Sequence, residues 1–171
     1  MTGKGGTVEL SEQDLALFQG RWSGEGRGSF PTVESFRFRE ELEFEQRGDE
    51  PLIHYVQRTW LKGERSTPSH WESGFLRFNE ARSLEMSNCQ NGGRVEVLTG
   101  ELIELDREHR TLAIRFHGRW MGNDQRIQQS LRTFSIHDDV LEYSIEMATD
   151  KVPGITRHIE AVLTKTGKDR T

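Results

Sequence analysis

The chain has 171 residues, a formal net charge of −5 and only 33% hydrophobic residues, with a mean hydropathy of −0.74. Its charges are interspersed and no basic run exceeds two residues, so it lacks the electrostatic footprint of a protein for nucleic acid or anionic lipid. No apolar run is long enough for a membrane span, the N-terminus shows no signal-peptide core, and the single cysteine, Cys89, can form no internal disulfide; a cytoplasmic location fits.

Residues 1–171 read as one domain, with flexible tails at 1–9 and 166–171. The polar composition implies either disordered tails or a fold whose interior is small or partly polar. From Ser11 to Gly20 one or two helical turns are expected: Ser11 can cap, Asp14 follows three residues later, and Leu15 and Phe18 share a face. Such a turn would close one end of a barrel.

Gly20 to Ser29 follows as a strand with an unusual pattern. Gly20, Trp22, Gly24, Gly26 and Gly28 alternate with other residues, so the glycines and the indole fall on one face. A bare strand face is tolerated where something lies close to the backbone, or where a sheet bends at a barrel corner. Pro31 ends the strand and Thr32 offers a hydroxyl beyond it. The spacing is neither that of a phosphate loop nor that of a dinucleotide fingerprint.

Alternation then dominates. Phe36, Phe38, Leu42 and Phe44 share one parity, and Arg37, Arg39, Glu41, Glu43 and Glu45 the other, the pattern of a half-buried strand. Arg47-Gly48-Asp49 is a turn whose match to an adhesion triplet is expected by chance. Further strands are expected over Leu52–Leu61, Ser69–Phe78, Arg82–Cys89, Arg94–Leu105, Thr111–His117, Gln125–Ile136, Val140–Thr149 and Ile155–Lys165. Turns fall over Gly63–Pro68, at Asn91-Gly92-Gly93, over Asp106–Arg110 and at His137–Asp139, and Gly118–Asp124 reads as a looser connection. The fold class is all-β: an antiparallel up-and-down β-barrel of about ten strands with a short N-terminal helical turn, closure removing the exposed edges.

Of the six histidines, His109 and His137 lie in turns and are expected to be solvated. His54 and His117 lie in strands as ordinary partly buried side chains, and no spacing supports a structural zinc site. His158 lies in the last strand, where a neutral imidazole could ligate haem iron or simply be an exposed or satisfied side chain. The regular apolar set of that strand, Ile159, Ala161 and Leu163, has the opposite parity. That leaves three arrangements open: an outward apolar set, a bulge near Pro153-Gly154, or His158 at the barrel mouth. Glu72 reads as a solvated strand carboxylate rather than a group ordering a cation or hydroxyl.

Three segments together resemble the nitrobindins, haem-binding β-barrels similar in shape to fatty-acid-binding proteins and lipocalins. They are Gly20-x-Trp22-x-Gly24-x-Gly26 through Phe30-Pro31-Thr32, the run His70-Trp71-Glu72-Ser73-Gly74-Phe75, and Met147-Ala148-Thr149 followed by the strand of His158. The resemblance covers residues 15–165. It implies one haem b per chain, with His158 as proximal iron ligand, Thr32 contacting the haem and His70 on the distal side. It implies isomerisation of peroxynitrite to nitrate and binding of nitric oxide, so peroxynitrite and nitric oxide are the expected small-molecule partners; a homodimer is left open. It also implies Trp22 as a plug at the barrel floor, with Trp60, Trp71 and Trp120 unassigned. Phe30 stands where the family often has tyrosine, and Ser69 where some relatives have a bulkier residue. The alternative is a non-catalytic carrier of a fatty acid, another apolar ligand or haem, or a nitric oxide sensor or transporter on the same barrel.

Overall fold

The computed structural model describes residues 9–31, 33–46, 48, 50–63, 67–79 and 83–167. Thr32, Arg47, Asp49 and most of the two expected tails therefore lie outside the described residues. A 3₁₀ turn, Glu12–Leu17, is followed by ten strands: β1 (Gly20–Phe30), β2 (Val33–Gln46), β3 (Leu52–Leu61), β4 (Thr67–Phe78), β5 (Leu84–Gln90), β6 (Val95–Asp106), β7 (Thr111–Gly122), β8 (Ile127–His137), β9 (Val140–Thr149) and β10 (Thr156–Lys165). Each pairs antiparallel with its chain neighbour, and β10 returns to β1, closing the barrel.

In this up-and-down arrangement odd strands start at one end and even strands at the other. The end where β1 starts is the floor. There the 3₁₀ turn lays Leu15 and Phe18 on the barrel, both fully buried. Asp14 accepts from the Ser11 amide (2.7 Å) and hydroxyl (2.6 Å). Arg107, in the β6–β7 turn, clamps the same carboxylate through Nε (2.7 Å) and Nη2 (2.9 Å). Trp22 is buried beside them, its Nε1 donating to the Phe18 carbonyl at 2.8 Å.

The glycine face of β1 points inward, and what lies against it is β2 and β10. A Cβ on Gly26 would stand 2.2 Å from the Phe38 ring, and one on Gly24 would stand 2.1 Å from the Val162 carbonyl oxygen. The bare face is thus filled by the protein's own rings and backbone, which lets β1 curl tightly.

Several strand ends move by one or two residues, and three differences from the sequence reading are larger. β7 runs on to Gly122, so Gly118–Gly122 is strand, because Val95 and Val97 of β6 pair with Gly122 and Trp120. β4 begins at Thr67, with Pro68 paired to Trp60 near the strand start, where a missing amide is tolerated. The bulge of β10 is not at Pro153-Gly154: Arg157 pairs with Glu146 and Ile159 with Ile145, leaving His158 as the extra residue. That bulge lets His158, Ala161 and Leu163 all face inward despite their opposite parities.

Candidate functional site at the barrel mouth

The end opposite the floor is irregular. Register shifts fall there at Gly28/Phe30, Arg58/Trp60, Val97/Leu98, Ile127/Gln129 and Arg157/Ile159. Bulges at a barrel rim re-aim side chains, and two of these carry histidines.

His158 is 4% exposed. The Phe30 ring packs edge-on against it at 4.7 Å between centroids, so the aromatic character of that position is kept. Thr156 Oγ1 donates to the Met147 carbonyl oxygen (3.4 Å). The same oxygen lies 2.9 Å from His158 Nε2, while Nδ1 is buried and has no hydrogen-bond partner. Burial pushes the imidazole pKa below its ordinary value, so the ring is neutral at neutral pH. A cleft of about 360 Å³ opens beside it, walled by Phe30, Pro31, Ile127, Met147 and Val152, with Arg94, Arg126 and Lys151 among its polar residues. Two larger and more open hollows, about 490 and 550 Å³, lie among Arg27, Arg37, Arg157 and Glu160, and the second of them also reaches Phe36, His158 and Ile159.

His70 lies at the same end, in β4. Ser69 and His70 together oppose the single residue Thr59 of β3. Thr59 Oγ1 accepts the His70 amide (3.0 Å) and donates to the His70 carbonyl oxygen (3.4 Å), satisfying the backbone that the bulge leaves unpaired. The His70 ring is half-buried, with Nε2 3.3 Å from Glu72 Oε2.

Glu72 is not a solvated carboxylate. It is 1% exposed and shares the inward face of β4 with His70 at a spacing of two. Arg132 meets it with both ends of its fork (Nη1 to Oε1 2.6 Å, Nη2 to Oε2 3.0 Å), and the Tyr55 hydroxyl donates to Oε1 at 2.5 Å. Arg132 Nη2 also pairs with Glu96. Burial pushes the Glu72 carboxyl up, but the Arg132 charge and the hydrogen bonds from His70 and Arg132 outweigh it and hold the group well below the usual carboxylate range.

Beside Glu72 and Glu96, a third buried carboxylate lies in the same layer. Glu40 accepts from Tyr143 (2.6 Å) and Gln57 (2.7 Å) with no cation paired to it among the described residues, and burial pushes its pKa up to about 7. The interior therefore has two halves: an apolar plug at the floor and a charged layer beneath the mouth. The sequence reading left out Glu40, Glu96 and Arg132. Their signal was parity, since Glu40 falls between Phe38 and Leu42, Arg132 before Phe134, and Glu96 before Leu98, each on the buried face.

Of the residues singled out in the sequence, His158 and His70 lie at the same end of the barrel on separate strands, while Gly20, Trp22, Gly24 and Gly26 build the floor and the β1 wall. His117 is exposed against Glu101 (2.9 Å), rather than partly buried. His54 stands on the outer wall against Phe75 and Ser73. Trp71 and Trp120 are exposed, and Trp60 stacks under Arg39. Among the described residues no cluster of His, Cys, Asp and Glu could hold a bare metal ion.

Residues 12–165 match the family described as the THAP4-like, heme-binding beta-barrel domain. The chain belongs to this family. A protein of Arabidopsis thaliana named peroxynitrite isomerase Rv2717c is 35% identical over 151 residues, spanning 88% of this chain and 86% of the relative. A peroxynitrite isomerase of Nocardia farcinica is 34% identical over 152 residues, 87% of each chain. The crystal structure of Rv2717c from M. tuberculosis superposes with a TM-score of 0.81 at 25% identity, covering 93% of this chain and all of the other. An S-type phycobiliprotein lyase of Guillardia theta shares the fold alone, with a TM-score of 0.55 at 11% identity.

Proposed function

We propose that the chain binds one haem b at the barrel mouth with His158 as iron ligand, and that the loaded protein isomerises peroxynitrite to nitrate and binds nitric oxide. The observation that carries this reading is the buried, unpartnered Nδ1 of a neutral imidazole opening on an apolar cleft. Leaving a buried polar atom unpaired costs about 1–3 kcal/mol, and a site that tolerates it is built for a ligand that completes it.

The residues present fit the group. His158 supplies a lone pair, and Thr156 fixes the other ring nitrogen, as an orienting partner fixes a metal-bound imidazole. Phe30, Ile127, Met147 and Val152 offer a flat ligand apolar contact and exclude water. Arg94, Arg126 and Lys151 supply positive charge for the carboxylates of a tetrapyrrole. Thr32 is proposed to contact the ligand, and His70 to face the opposite side of the mouth. Bound haem would supply a ferric Lewis acid for an anionic peroxide, and the protein supplies position and electrostatics. The fatty-acid carrier is the weaker reading, because the Glu72–Arg132–Glu96 layer below the mouth is a poor bed for an acyl chain.

The test is stopped-flow decay of peroxynitrite. Hemin-loaded ferric protein is expected to consume it faster than His158→Ala mixed with equal free hemin; equal rates would end the proposal. A cytoplasmic location and a homodimer belong to the same proposal. Sedimentation tests the dimer, with exposed Trp71 and Trp120 as outer-wall residues a second copy would cover.

A further inference from the structure

The wall of the His158 cleft is continuous with the charged layer. Arg94 lines the cleft, where its Nη1 meets the Met147 sulfur at 3.8 Å, and its Nε lies 3.7 Å from Glu96. Glu96 pairs with Arg132, Arg132 with Glu72, and Glu72 Oε2 faces His70 Nε2 at 3.3 Å. A chain of charged groups thus runs from the wall of the His158 cleft to His70. Its last member is an ionised carboxylate, held so by a two-pronged guanidinium and a tyrosine hydroxyl.

An ionised carboxylate can only accept hydrogen bonds. The ring nitrogen facing it must therefore carry a hydrogen, and in the neutral ring Nδ1 is left as the acceptor. We propose that Glu72 is a positioning residue for His70: with Arg132 and Tyr55 it fixes His70 as the Nε2–H tautomer, making the mouth histidine a proton acceptor toward a ligand. The functional part rests on the haem-site reading above; the tautomer does not. A protonated peroxide arriving at the mouth would give its proton to Nδ1. Its O–H bond breaks, an N–H bond forms, and the electron pair stays on the peroxide oxygen as the anion. The imidazolium so formed lies against Glu72, the arrangement by which a buried carboxylate supports a histidine base. The charged and titratable groups around the His70–Glu72 pair include Glu40 from β2, Tyr55 from β3, Arg94 beside Glu96 at the start of β6, Arg132 from β8 and Tyr143 from β9.

Two readouts test this. In protein without hemin, long-range ¹⁵N–¹H correlation of the imidazoles, with His70→Ala assigning the signals, is expected to show neutral His70 as the Nε2–H tautomer. In Glu72→Gln, whose amide can donate or accept, that bias is expected to be lost. The Nδ1–H tautomer in the wild type, or an unchanged tautomer in Glu72→Gln, would overturn the assignment. If Glu72→Gln does not fold, the wild-type spectrum still decides. In hemin-loaded protein, Glu72→Gln is expected to lower the rate of peroxynitrite decay ~10-fold, the low end for loss of an orienting partner, and to add nothing to His70→Ala. A further loss in the double variant would show that Glu72 does not act through His70. Failure of hemin to bind would end the haem reading while leaving the tautomer result standing.

Discussion

His158 and His70 occupy bulges at the same end of the barrel, on even-numbered strands near their starts, yet their surroundings are opposites. His158 is sealed in an apolar corner, its Nε2 held by a neutral hydroxyl and its Nδ1 without any partner. His70 is half-open to solvent and tied to a carboxylate that is itself pinned by a buried arginine. The same bulge device therefore delivers two different imidazoles. One is kept neutral by burial and leaves a ring nitrogen without a partner; the other is coupled to fixed charge. An apolar cage suits a ligand atom for a soft, polarisable partner, and a charge-coupled ring suits proton transfer.

The comparison can be broken most forcefully from the His70 side. Arg132→Met would strand Glu72 and Glu96 as buried carboxylates without their cation, and a loss of about 3–5 kcal/mol in urea unfolding is expected. A loss near zero would mean that the charged layer contributes little.

Next is pH. Glu40 stays protonated in the folded barrel up to about 7, against an ordinary value of 4.5. Between those values the folded state binds the extra proton, so stability falls as pH rises through that window, by roughly 3 kcal/mol at the free energy of one pKa unit. His158 works in the other direction. Its pKa is lowered on folding, so its contribution is lost as pH falls below the ordinary histidine value. Denaturation across pH 4.5–7.5 should show Glu40→Gln removing the first trend, leaving a protein whose stability rises with pH.

Phe30→Ala removes the ring packed on His158 and should cost about 1–2 kcal/mol, less than a fully buried phenylalanine would. The same change admits water, so the His158 pKa measured by NMR should move back up toward its ordinary value. Thr156→Val is the gentlest test. It deletes the hydroxyl that meets Nε2 at a cost of about 1 kcal/mol, and the His158 tautomer should become mixed while that of His70 is unchanged.

Much of the barrel was legible because alternation is a direct record of a two-faced strand: Phe36, Phe38, Leu42 and Phe44 announced β2, and Asn91-Gly92-Gly93 its own hairpin. The charged layer was legible only in outline, as an expectation of a partly polar interior. Single residues such as Arg132 and Glu40 look like surface charges until their parity is counted against their neighbours. Glu72 was misread for the same reason: its partner lies 60 residues away, and no local pattern links β4 to β8. The bulge at His158 was beyond parity counting altogether, since an extra residue shifts the phase that the counting assumes. That Gly24 and Gly26 serve the protein's own packing could likewise be seen only once β2 and β10 lay beside them.

The division of labour between the two histidines is tested most directly by a visible-absorption titration with hemin. Wild-type protein is expected to give a saturable Soret band at one hemin per chain. His70→Ala should keep that band with its affinity within a few-fold, and His158→Ala should lose or shift it. A band unchanged in His158→Ala, lost in His70→Ala, or absent from the wild type would contradict the assignment.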